Sequence, residues 1–108
     1  MGDPAGVGPE IALKTLAKLK ESSLPFIPVL IGSYEVLKLY KADIFGTYII
    51  TDPENLHTQL NITDSHIICN VPYSGQLPVP GRGNVDTGRE SLRYVNIALE
   101  LWKSGIID

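Results

Sequence analysis

The sequence predicts an α/β fold built on a mainly parallel sheet, and three observations predict it. Segments with apolar residues at helical spacing alternate with short apolar runs bounded by proline or glycine. The opening "MGDPAGVGPE" is a glycine-rich turn running into a helix, an arrangement that normally follows a β-strand. At 108 residues, 44% hydrophobic and 19% charged, the chain has the size and composition of one globular domain.

The elements follow in order. Pro9 and Glu10 suit a first helical turn, since the fixed φ of proline fits there and a carboxylate favours the positive end of the helix dipole. Ala12, Leu16 and Leu19, flanked by Ile11 and Leu13, recur at helical spacing, and Ser22, Ser23 and Pro25 end the helix. "FIPVLIG" (Phe26 to Gly32) fits a short buried strand, although Pro28 removes one ladder donor and implies an edge position or an irregular start. "SYEVLKLYKA" returns to helical spacing through Val36, Leu37 and Tyr40, with Ser33 as its N-cap. "TYIITDP" and "HIICNVP" are strand-like runs stopped by proline, and the polar "ENLHTQLNITD" between them leaves its conformation open.

"YSGQLPVPGRGNVDTG", with four glycines and two prolines, is a loop or an extended crossing. In the last element Thr87 and Glu90 have the spacing of a capping box, and Leu92, Val95, Ala98 or Leu99, and Trp102 mark one helical face. Tyr94 and Trp102 are packing residues on this reading, and Gly105 caps the C-terminus. "IID" then begins another apolar run. A sequence that starts where a strand should have been and stops as another begins is expected to be a piece of a longer protein.

The net charge of −3 and the scatter of the basic residues favour neither nucleic acid nor an anionic membrane surface. No run approaches the ~20 apolar residues of a membrane span, and no charged segment precedes an apolar one as in a signal peptide. The single cysteine, Cys69, suits a reducing compartment, so a cytoplasmic location is expected, with the thiol buried and inert in "HIICNV".

Gly2, Gly6 and Gly8 allow tight turns and close backbone approach, and the helix behind them offers amides to an anion. The spacing is neither the G-x-G-x-x-G fingerprint nor a P-loop. The residues alone leave two readings open, a ligand-contacting loop and a structural turn. Asp3 likewise could meet a ribose or an amine, or hold the amides of its own loop. His57 and His66 have no partners at metal-ligand spacing and are expected on loops or the surface. Arg82, Arg89 and Arg93 stand about the loop and the capped helix and could meet an anionic ligand, although solvated positions are expected. No nucleophile elbow is present.

"MGDPAGVGPEI" strongly resembles the opening signature of the 4-hydroxythreonine-4-phosphate dehydrogenases, a family with relatives acting on 4-phosphoerythronate or 4-phosphothreonate. "PVLIG" followed by "SYEVL" is similar to the family's second strand and the helix after it. Gly81, Arg82, Gly88, Tyr94, Ala98, Gly105 and Asp108 resemble its later motif, with Arg82 replacing the usual lysine. Residues 41 to 70 match weakly, and the "TAP" strand that follows in the family is missing. The resemblance implies a three-layer α/β/α fold like that of isocitrate and isopropylmalate dehydrogenases, of which residues 1–108 would be an incomplete N-terminal domain. It implies a homodimeric, cytoplasmic oxidoreductase of pyridoxine and pyridoxal phosphate biosynthesis, using NAD and a divalent metal. Such an enzyme oxidises a small phosphorylated hydroxy acid to a 3-keto acid, which then decarboxylates.

The family's three metal-binding histidines and its phosphate-gripping residues lie beyond this sequence. No catalytic or metal residue is therefore expected in this chain, which alone should be inactive. Only the Gly2–Glu10 loop carries over, with Gly2, Asp3, Ala5, Gly6, Val7 and Gly8 as cofactor-binding or cleft-lining residues. Two other readings stand beside this one. One is a standalone anion- or nucleotide-binding module, or a decayed-gene product, without catalysis. The other is a decarboxylating dehydrogenase of the isocitrate or isopropylmalate type, which "GVGPE" echoes and "DPA" argues against.

Overall fold

Helix α1 (Gly8–Lys20) begins where the sequence places it, with proline in its first turn, Glu10 at its N-terminal end and Lys18 and Lys20 in its last turn. The computed structural model describes residues 1–40 and 48–108. After α1 come β1 (Val29–Gly32), α2 (Tyr34–Tyr40), β2 (Ile49–Thr51), α3 (Leu56–Ile62), β3 (Ile67–Asn70) and α4 (Val85–Lys103). The last two residues of "SYEVLKLYKA" and Thr47 of "TYIITDP" lie outside the described residues.

The three strands form one parallel sheet in the order β1-β3-β2, with Val29 opposite Ile67 and Ile49 also opposite Ile67. β1 starts only after Pro28, the irregular start that proline allows, and it lies at an edge of the sheet. Pro28 O and Gly32 O accept from Ile67 N and Val71 N of the β3 side. Val29 and Ile31 therefore face the other edge. There the Met1 amine donates to Ile31 O at 3.1 Å, and the Met1 side chain lies where a Cβ on Gly32 would sit, 2.6 Å from its sulfur.

Alternate strand residues serve opposite faces. Ile31, Ile67 and Cys69 pack with Leu56 of α3 and Tyr94 and Leu101 of α4. Ile68, with Leu30 beside it, packs with Leu13 of α1 and Leu37 of α2. The result is a small α/β domain with helices on both faces of a parallel sheet.

Two local readings are corrected. The capping box lies three residues earlier than Thr87–Glu90. Asn84 is the N-cap, accepting from Thr87 N at 3.0 Å, while the Thr87 hydroxyl accepts from Asn84 N at 2.9 Å. The short side chain of Asn84 reaches the Thr87 amide, the Thr87 hydroxyl reaches back to the Asn84 amide, and Val85 and Asp86 join the helix. The inward face of α4 also differs: Thr87, Glu90, Tyr94 and Leu101 are buried, whereas Leu92, Val95, Leu99 and Trp102 face away from the sheet. Trp102 is therefore not a packing residue of this domain.

Other readings hold. The Ser33 hydroxyl accepts from Val36 N as an N-cap does, at 3.3 Å. Gly105 has φ 76°, with its own amide on Trp102 O and that of Ile106 on Leu101 O, a Schellman closure. The open segment "ENLHTQLNITD" contains α3.

Cys69 is fully buried, and burial pushes its thiol from 9.0 up to about 11. Below pH 9 the thiol is protonated folded and unfolded alike, and its contribution to stability is complete. Between pH 9 and about 11 the unfolded thiol ionises first, so stability falls as pH rises. Urea unfolding at pH 8 and at pH 10.5 checks this. The fall is expected to be smaller for Cys69→Ala, with a remainder from tyrosines such as Tyr94, whose hydroxyl burial also raises.

Candidate functional site

In a parallel sheet the loops at the C-terminal ends of the strands converge, and open α/β folds place their ligands there. In this chain Ser33 follows β1, and residues 71–84 follow β3 and lead into α4. The three buried polar or charged side chains among the described residues, Ser33, Thr87 and Glu90, come from this end of the molecule.

The glycine-rich loop is tied down on several sides. Asp3 Oδ1 accepts from Ala5 N at 2.8 Å, and Asp3 Oδ2 accepts from the Thr87 hydroxyl at 3.3 Å, across 84 residues of sequence. Ala5 O accepts from Gly81 N at 2.7 Å, and the Tyr40 hydroxyl lies 3.1 Å from Pro4 O and 3.3 Å from Gly6 O. Asp3 therefore holds its own loop and joins it to α4. Gly2 has φ 78°, in the left-handed region, and a Cβ on Gly8 would collide with the Met1 carbonyl. Ala5 is buried, Gly6 and Gly8 are half-buried, and Gly2 and Val7 are exposed. Val7 is the N-cap of α1, and no side chain caps that helix.

The loop after β3 is anchored by Glu35, which the linear sequence does not single out, and by Arg93, a residue expected in solvent. Glu35 Oε2 accepts from Tyr73 N and from the Ser33 hydroxyl, each at 3.1 Å. Arg93 donates to Pro72 O at 2.8 Å and to Glu90 at 3.3 Å. Arg93 is thus a positioning group, and Arg89 pairs with Asp86 at an exposed 3.6 Å. Burial raises the Tyr73 hydroxyl, and the nearby carboxylates of Glu90, Asp86 and Asp3 raise it further. Burial raises the Tyr40 hydroxyl too, with Asp3 and Glu10 adding to it.

Beside these anchors lies a cavity of about 360 Å³, walled by residues 73–79 together with Arg82, Asn84 and Asp86. None of Gly2 to Gly8 lines it. The loop lies at its border, with Asp3 Oδ2 3.6 Å from where a Cβ on Gly83 would stand. The structure thus brings the loop, the segment around Gly81 and the start of α4 together, and leaves the two histidines apart. His57 is exposed on α3. His66 precedes β3, with its Nδ1 buried, and burial lowers its pKa. Among the described residues no group of three His, Cys, Asp or Glu could hold a metal ion, and no helix is long and apolar enough to cross a membrane.

No family model matches the chain, and no solved structure matches it. Two curated proteins do. A 4-hydroxythreonine-4-phosphate dehydrogenase of Synechocystis sp. is 30% identical over 112 residues, covering 100% of this chain and 29% of the relative. A protein of the same name from Synechococcus sp. is 34% identical over 103 residues, covering 93% of this chain and 27% of the relative. The chain therefore spans less than a third of the length of the curated relatives it matches. The similarity read from the motifs at both ends of the sequence extends through the whole chain, which resembles 4-hydroxythreonine-4-phosphate dehydrogenases.

Proposed function

We propose that residues 1–108 form an incomplete N-terminal α/β domain of a larger two-domain dehydrogenase, with the three-layer architecture of the isocitrate and isopropylmalate enzymes. The complete protein is an NAD- and divalent-metal-dependent oxidoreductase acting on 4-phosphohydroxythreonine or a close analogue, with subsequent decarboxylation. It is a cytoplasmic homodimer of pyridoxine biosynthesis. The observation that carries this reading is the similarity of the whole chain to two enzymes of that name. The docking of the glycine-rich loop on the start of α4, at the ligand-binding end of a parallel sheet, supports it.

Within this reading the chain supplies one wall of a cleft. Both Asp3 oxygens and both polar groups of the Gly6 backbone are engaged internally, so ligand contact falls to the backbone of Gly2, Val7 and Gly8. The uncapped start of α1 is the feature that suits an anionic part of a dinucleotide. The described residues do not fit a metal site, so no step through a metal is assigned to them. Asp3, Asp86 and Glu90 make the surroundings of Tyr73 acidic, which suits hydroxyl groups better than a phosphate. The substrate phosphate is accordingly held by residues outside this chain.

The test is NADH formation, followed at 340 nm, by the native protein that carries this sequence. With NAD, a divalent metal and 4-phosphohydroxythreonine, turnover is expected, and a chelator should abolish it. The 108-residue chain alone should show none. Absence of turnover by the metal-loaded native protein, or turnover by the short chain, would overturn the reading.

A further inference from the structure

Thr87 has no exposed surface, and its hydroxyl stands where the glycine-rich loop, the segment before α4 and α4 itself meet. It accepts from Asn84 N at 2.9 Å and lies 3.0 Å from Asn84 O and 3.3 Å from Asp3 Oδ2. A hydroxyl has one proton to give. Asn84 O already accepts from Gly88 N at 3.1 Å, and an ionised carboxylate is the stronger acceptor, so the proton belongs to Asp3. The cap of α4 and the glycine-rich loop thus share one oxygen atom.

We propose that Thr87 is a positioning residue for the cofactor: acting through Asp3, it fixes the glycine-rich loop in the shape that NAD meets. Fully buried, Thr87 touches no ligand itself. The other ties to this loop, from Tyr40 and Gly81, hold only the carbonyls of Pro4, Gly6 and Ala5. Thr87 holds the carboxylate of Asp3, the one charged side chain between Gly2 and Gly8. With Oδ2 on Thr87 and Oδ1 accepting from Ala5 N at 2.8 Å, that carboxylate is fixed at both oxygens. The turn in which Gly6 N donates to Asp3 O at 3.0 Å is built on it. A Cβ on Gly83 would stand 3.6 Å from Asp3 Oδ2 and 3.7 Å from the Thr87 hydroxyl, so the segment before α4 closes over the pair.

Without the hydroxyl the carboxylate turns, and Ala5 N loses its fixed acceptor. Ligand contact falls to the backbone of Gly2, Val7 and Gly8, and two of these are glycines with little conformational restraint of their own. A loop that must be ordered at the moment of binding binds more weakly. The loss falls on affinity, because the same contacts serve ground state and transition state alike.

The proposal rests on the dehydrogenase reading for its ligand, and the loop-holding bond has a readout that needs no turnover. In the native protein that carries this sequence, Thr87→Val should raise the KM for NAD about tenfold, the scale of one charge-assisted hydrogen bond, with kcat within about twofold. Thr87→Ser, which restores the hydroxyl, should return KM to the starting value. Asp3→Ala should raise KM as well, and the double variant should be no worse than Asp3→Ala alone, since both changes remove one bond. Hydrogen exchange at the Ala5 amide should quicken in Thr87→Val, while the Ile67 amide, bonded to Pro28 O in the sheet, should keep its rate.

An unchanged KM, no rescue by serine, or effects of Thr87→Val and Asp3→Ala that multiply would overturn the proposal. Equal quickening at Ala5 and Ile67 would overturn it too, by showing a residue that serves stability alone. If the unsubstituted native protein gives no NADH, the dehydrogenase reading fails by itself. The exchange rates of Ala5 and Ile67 then decide whether Thr87 holds the loop.

Discussion

Replacing Leu56 with alanine is expected to lower the unfolding free energy of the chain by about 3 kcal/mol, within the range for large-to-small changes at fully buried positions. Leu56 has no exposed surface and packs with Ile67, Cys69 and Tyr94 between the sheet, α3 and α4. It is the one buried residue of α3, a helix of seven residues whose N-cap Asn55 makes no side-chain cap bond. So short a helix has little stability of its own and exists because Leu56 docks it. The variant should therefore lose α3 before the sheet, seen as early hydrogen exchange at the Gln59 and Thr63 amides, which bond to Asn55 and Gln59. The exposed Ile62→Ala change on the same helix should move urea stability by less than about 0.5 kcal/mol.

The second large effect belongs to the glycine-rich loop. Gly8→Ala should cost about 2–3 kcal/mol, because the added methyl meets the Met1 carbonyl, a backbone group that cannot swing aside as a flexible side chain does. Relief requires either that α1 slides along the sheet or that Met1 leaves its bond to Ile31. Gly88→Ala makes a control of opposite sign. Its Cβ would meet nothing within 4 Å on an exposed helical surface, so a gain of up to about 1 kcal/mol is expected. Urea unfolding of both variants separates steric need from general intolerance of change at glycine.

These expectations follow how far the fold is legible in the sequence. Proline and glycine punctuation marks β1, β2, β3 and the start of α1 because those residues act locally, through φ and the missing amide hydrogen. α3 is not legible, because Leu56 and Leu60 are its only inward residues in a polar stretch too short to show a period. α4 misleads for a different reason. Its solvent-facing stripe is purely apolar, whereas its buried face contains Thr87 and Glu90, so periodicity favours the wrong side. The buried face is polar at that end because it meets the loops there: Thr87 bonds to Asp3, and Glu90 bonds to Arg93, which holds Pro72 O.

The glycine loop of the candidate site is legible, since positive φ and close approach demand glycine at Gly2 and Gly8. Its surroundings are not. Glu35 and Tyr73 stand 38 residues apart and meet only because β1 and β3 are paired neighbours. No local spacing encodes that meeting.

The most direct test of the central claim, that this chain supplies one part of a longer dehydrogenase, is the intact mass of the native gene product. The account predicts a mass three to four times the 11.8 kDa of this chain, as its share of the two relatives requires. A native product of 11.8 kDa would contradict it and leave a free-standing α/β module in place of a dehydrogenase domain.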